Sequence, residues 1–179
     1  MGQRGGAASG AEVGRGGAVV LGGDPGEVGA AVVLDGHHVR ESLSWKTEGD
    51  VGPLVFDLCR RWGVTRAAIE WTPKTRGVNE RMPPAARVTL ARRAQMLATA
   101  AACAGAEVRF VGCDDWRAEV LRLSGQTSGD RAKDAAIAAC WGGMTRRLDP
   151  GLGLVWPPLT DRSSHVAEAA CVAVWAQRW

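Results

Sequence analysis

A chain of 179 residues with 46% hydrophobic content can bury one ordinary core, and a formal net charge of +3 only mildly favours acidic partners. No run approaches the roughly 18 apolar residues of a membrane span, which excludes a helical membrane protein. The five cysteines are odd in number and form no C-x-x-C pair, against a disulfide framework or a zinc site. With no apolar leader before Gly22, the expected setting is the reducing cytoplasm, with buried free thiols.

Residues 1–16 are mostly Gly, Ala, Ser and charge, and are expected to form a flexible tail ahead of one domain, 17–179. Ala18–Gly23 and Gly29–Leu34 are continuous apolar runs, as strands covered on both faces require. Asp35-Gly36 signals a hairpin turn, and the more alternating His37–Trp45 suits a strand nearer the sheet edge. Val51–Trp62 sets Leu54, Val55, Leu58 and Trp62 on one helical face and stops at Gly63. Ala67–Trp71 reads as a fourth strand, 72–84 as a loop, and the Ala-rich Ala85–Ala104 as a helix. Glu107–Gly112 is a fifth strand, followed by a helix around Trp116–Leu123 capped by Asp114. After a polar loop, Gly125–Asp130, come helices over Ala132–Leu148 and Ser164–Gln177, separated by a loop over Pro150–Pro158. The order βββαβαβααα predicts an α/β fold with a five-stranded mixed sheet: three antiparallel strands, then parallel ones, flanked by helices.

From Arg60 to Arg93 nine Lys/Arg stand against two Glu. Such a block is either a phosphate footprint or a solvated face. Two acids sit at the ends of apolar strands, Asp24 and Glu70. A carboxylate there is costly to desolvate without a cation or strong donors. Asp24 before Pro-Gly alone suits a turn former as well as a ligand. His165 and Glu168 are three apart on an otherwise apolar helix, so they share a face. If these four converge, they make an oxygen-rich set with one nitrogen, suited to Mg²⁺ or Mn²⁺. Two such ions roughly 4 Å apart can hold a phosphodiester, activate water and stabilise the leaving oxygen.

Val20-Leu21-Gly22-Gly23-Asp24-Pro25-Gly26 resembles the first-strand motif of RuvC-type Holliday-junction resolvases, nucleases of RNase H-like fold. Gly29–Leu34 matches that family's second strand, and Ala67-Ala68-Ile69-Glu70 resembles its fourth-strand motif. Ser164-His165-Val166-Ala167-Glu168-Ala169-Ala170 resembles its last-helix motif, with Glu168 where Asp is usual. The resemblance runs from Ala18 to Trp175. It implies a structure-selective endonuclease that cuts four-way DNA junctions, leaving 5′-phosphate and 3′-hydroxyl ends. Asp24, Glu70, His165 and Glu168 would hold two metal ions. Lys133 resembles a family lysine near the scissile phosphate, where it would steady developing charge.

Lys74, Arg76 and Arg117 are candidate DNA contacts, and Trp71 and Trp116 candidate stacking partners for an unpaired base. His37 and His38 receive no role. A two-fold substrate implies a homodimer, formed through the small residues of Ala85–Ala104. Three other readings stand beside this one. They are a nuclease of the same fold acting on RNA or RNA–DNA hybrids, a nucleic-acid-binding module without catalysis, and an ATPase. The last needs two phosphate-binding lobes where 179 residues supply one.

Overall fold

Strands whose side chains are apolar on both faces need cover on both faces. The computed structural model provides it. It describes residues 17–46, 51–71, 83–123, 129–141, 152–158 and 160–179. The expected tail, 1–16, lies outside them, as do 72–82, which hold most of the loop expected over 72–84.

The elements run β1 (Val19–Asp24), β2 (Val28–Asp35), β3 (His38–Lys46), α1 (Val51–Trp62), β4 (Arg66–Glu70), α2 (Pro84–Cys103), β5 (Glu107–Val111), α3 (Cys113–Val120), α4 (Gly129–Trp141) and α5 (Ser164–Ala176). They form one five-stranded sheet in the order β3-β2-β1-β4-β5. β1 pairs antiparallel with β2, and β2 with β3; β1 pairs parallel with β4, and β4 with β5. This is the mixed α/β sheet the sequence order predicts, with β1 central and β3 at an edge.

Alternation along the strands divides the core. Leu21, Ala31, Val33, Ala67 and Ile69 point to α1 and α2, where Val55, Leu58, Ala94 and Leu97 meet them. Val20, Ala30, Val32, Leu34, Ala68 and Val111 point to α3, α4 and α5, meeting Trp116, Ala136, Cys140 and the run Val166–Ala173. On this second face α5 lies almost directly on β1. A Cβ at Gly22 would stand 2.1 Å from the Ala169 carbonyl oxygen and 2.3 Å from the Ala173 nitrogen, so only glycine fits there. The strand Gly therefore sets the depth at which α5, with His165 and Glu168, crosses the sheet.

Some local expectations are corrected. Leu54 is 52% exposed, because the buried stripe of α1 runs through Val51, Val55, Leu58 and Cys59 and leaves Leu54 on its flank. The N-cap of α3 is Gly112, and Asp114 falls in the first turn, where an acid still suits the positive helix end. The β2–β3 hairpin closes with Asp35 opposite His38, so its turn is Gly36-His37, with Gly36 at φ +57°. α4 begins at Gly129, inside the segment expected as loop, and residues 142–148 of the expected helix lie outside the described residues. Cys59, Cys113, Cys140 and Cys171 are buried free thiols and Cys103 is exposed. No helix among the described residues is long and apolar enough to cross a membrane.

Candidate metal centre

Asp24 is the last residue of β1. Its Oδ1 accepts the Gly26 N–H at 3.1 Å, an Asp-turn that holds the carboxylate at the strand end. A Cβ on Gly26 would lie 2.4 Å from the Val28 carbonyl oxygen, so the tight turn requires glycine. From α2, Arg93 donates to the Gly26 carbonyl at 2.8 Å and pins the same turn from the other side. The second oxygen, Oδ2, lies 2.8 Å from His165 Nδ1.

His165 stands in the first turn of α5. That helix starts at Ser163, whose hydroxyl accepts the Val166 N–H at 3.4 Å. One turn on, Glu168 points into the same space. It is the only buried charged residue among the described residues, at 5% exposure. Asp24, His165 and Glu168 each offer a ligand atom, and these atoms lie within 4.8 Å of one another. Two carboxylates and one imidazole at that spacing fit a hard divalent cation by donor chemistry as well as by distance.

Glu70 enters from the end of β4. It is not part of the three-residue set, but its Oε2 accepts the indole N–H of Trp116 at 2.9 Å. Loss of water pushes its carboxyl up to about 8, with the charges of Asp24 and Glu168 adding to the rise; Arg117 and the Trp116 N–H oppose it. Glu168 is also raised, first by burial and then by Asp24, against Arg117, Lys133 and His165. His165 is raised by its hydrogen bond to Asp24, against burial, with the charges of Asp24 and Glu168 adding and Lys133 opposing. The two glutamates rise first because burial removes water from them and then because neighbouring acids repel them, while His165 rises because Asp24 accepts its hydrogen bond. A group of acids with pKa values moved by burial and by one another is a functional-site candidate on physical grounds.

α4 brings Lys133 close enough for its charge to act on both His165 and Glu168. Arg117, from α3, does not face outward. Its side chain is 15% exposed and its Nη2 lies 3.4 Å from Glu168 Oε1. Trp116 is fully buried, so the stacking role considered for it is wrong; its ring fills the core and its N–H serves Glu70. Trp71 packs against Phe110 at 5.9 Å. Lys74 and Arg76 lie outside the described residues. Members of the basic block are partly engaged: Arg61 pairs with Glu41, Arg66 donates to the Trp179 carbonyl, and Arg93 holds Gly26. His37 and His38 sit at the β2–β3 hairpin.

Two contributors escaped the sequence, the Arg93 clamp and the Trp116 hydrogen bond. Each joins elements far apart in the chain, and neither residue sits in a motif that marks it.

No family model matches the chain, and no curated protein matches it by sequence. Solved structures do. The T. thermophilus RuvC in complex with Holliday junction substrate superposes with a TM-score of 0.58 at 18% identity, over 88% of this chain and 90% of that one. A second Thermus thermophilus RuvC structure gives 0.57 at 16% identity, over 89% and 95%. The yeast mitochondrial Holliday junction resolvase Ydc2 gives 0.52 at 11% identity, over 91% and 79%. These likenesses show that the chain has the RuvC-type, RNase H-like fold.

Proposed function

We propose that this chain is a metal-dependent endonuclease of branched DNA, with residues 17–179 as its nuclease domain and four-way junctions as its substrate. The observation that carries the reading is the convergence of Asp24, His165 and Glu168 within 4.8 Å, at the end of the central strand of a RuvC-type fold. Asp24, His165 and Glu168 would hold one divalent ion, and Glu70, set beside them by Trp116, would extend the site to a second. Bound there, Mg²⁺ or Mn²⁺ supplies Lewis acidity toward a phosphodiester and a strong nucleophile at neutral pH.

The chain's own residues supply the rest. Asp24 is prealigned by the Gly26 N–H and the Arg93 clamp, so little reordering is needed when a ligand arrives. Lys133, whose charge acts on both His165 and Glu168, would stabilise charge that develops on the phosphate. Lys74 and Arg76 follow β4 in the chain and serve as phosphate-backbone contacts in this reading. A two-fold junction calls for a homodimer, and α2 is its candidate element: residues 84–89 of its N-terminal end are exposed, while its C-terminal half packs on the sheet.

Cleavage of a synthetic four-way junction in Mg²⁺ or Mn²⁺, beside linear duplex and RNA–DNA hybrid, tests the reading. The wild-type chain is expected to cut the junction, and Asp24→Asn to lose on the order of a hundredfold or more in rate. Cleavage confined to the hybrid would move the substrate to RNA. No metal-dependent cleavage of any of the three would overturn the nuclease reading.

A further inference from the structure

Two consecutive residues of α3 reach two acids that come from different elements. Trp116 donates to Glu70 of β4, and Arg117 pairs with Glu168 of α5. The two contacts differ in quality. The Trp116 bond is a well-formed 2.9 Å interaction from a fully buried ring. The Arg117 contact is a single one at 3.4 Å, without the two-pronged geometry arginine usually makes with a carboxylate. Its Nε is buried with no hydrogen-bond partner, and its guanidinium lies 5.3 Å from the Trp116 ring. A guanidinium cannot shed its charge, so a buried, unsatisfied nitrogen next to a cluster of acids is costly unless the charge itself is needed. Here it is needed: Asp24, Glu70 and Glu168 lie close enough for their charges to act on one another, and Arg117 offsets the charge of both glutamates.

We infer that Arg117 is the resident counter-cation of the centre, holding Glu168 while no divalent ion is present and competing with that ion for it. Metal entry then displaces the guanidinium, because both cations neutralise the same carboxylate and repel each other at that range. Trp116 acts in the opposite sense, as a positioning residue that keeps Glu70 aimed at the site. This inference rests on the metal-binding reading above.

The two residues therefore predict effects of opposite sign on metal affinity, which a general loss of packing would not produce. Mn²⁺ titration calorimetry of the full chain is the measurement. Arg117→Met is expected to bind Mn²⁺ about tenfold more tightly than wild type. Trp116→Phe keeps an aromatic ring but loses the indole N–H and part of the ring volume, and is expected to bind about tenfold more weakly. Should Arg117→Met fail to fold, Arg117→Gln and Arg117→Lys carry the test: Gln tightens binding, and Lys, which keeps the charge, leaves it near wild type. Weaker or unchanged Mn²⁺ binding in the folded, charge-removing Arg117 variant overturns the role given to Arg117 alone. Absence of Mn²⁺ binding by wild type overturns the metal centre itself.

Discussion

The two faces of the sheet solve different problems. On the α1/α2 face, amphipathic α1 and the C-terminal half of α2 lay Val55, Leu58 and Leu97 onto Leu21, Val33 and Ile69, and among the described residues no charged one is buried there. On the other face, α5 is buried without a break from Val166 to Ala173 and carries Glu168 inside that run. Its neighbours are small, alanines and Cys171, so the helix comes close to β1 over Gly22. One face is built for burial alone. The other gives up part of that simplicity to bring four acids and bases to the end of β1. A charged residue in a packed helix is a cost that a structural role would not require.

That contrast can be broken, and the largest expected effect comes from the plain face. Leu97→Ala opens a cavity among apolar side chains of α1, α2 and the sheet, and is expected to lower stability by about 2–5 kcal/mol. Chemical denaturation measures the loss, while Mn²⁺ affinity should stay at the wild-type value. A parallel loss of metal affinity would mean that the two faces are not independent. Gly22→Ala is next. Its new methyl meets the backbone of α5, which cannot turn aside as a side chain can, and the expected cost is about 1–3 kcal/mol. Unlike Leu97→Ala it should also weaken Mn²⁺ binding, because α5 must lift and take His165 and Glu168 with it. Unchanged Mn²⁺ affinity there would uncouple the depth of α5 from the site.

The third test is the response to pH without metal, which acts on the whole cluster rather than on one side chain. Glu70 rises from an ordinary value of 4.5 to about 8, so between these values the folded chain keeps a proton that the unfolded chain releases. Stability therefore falls as pH climbs through that window. Glu168, also raised, acts in the same direction. His165 is raised too, and its contribution is present below its ordinary value of 6.5 and lost as pH passes its higher folded value. Metal-free protein is expected to be less stable at pH 8 than at pH 5, with Mn²⁺ restoring the difference at pH 8. A flat profile in denaturation experiments would remove the buried, mutually repelling acids from the account.

The architecture was legible in the sequence because hydrophobic period and turn chemistry are local. Continuous apolar runs marked β1, β2 and β4 as covered strands, and the alternation of strand and helix after them set the parallel half of the sheet. The candidate acids were legible too. Asp24 before Pro-Gly, Glu70 after Ala-Ala-Ile and the His165/Glu168 pair each stand where an apolar pattern is interrupted. Leu54 and Asp114 were misread because periodicity and capping preference locate a residue only to within a position or two, and tertiary contacts decide between neighbours.

By itself, then, the sequence determined the sheet, its order of elements and which polar residues sit in apolar surroundings, all properties of short windows of chain. Only the tertiary structure decided what surrounds the acids. It set Trp116, a candidate for stacking, against Glu70, and Arg117, a candidate DNA contact, against Glu168. Both outcomes depend on α3 packing against residues 46 and 51 positions away in sequence, where no local pattern reaches.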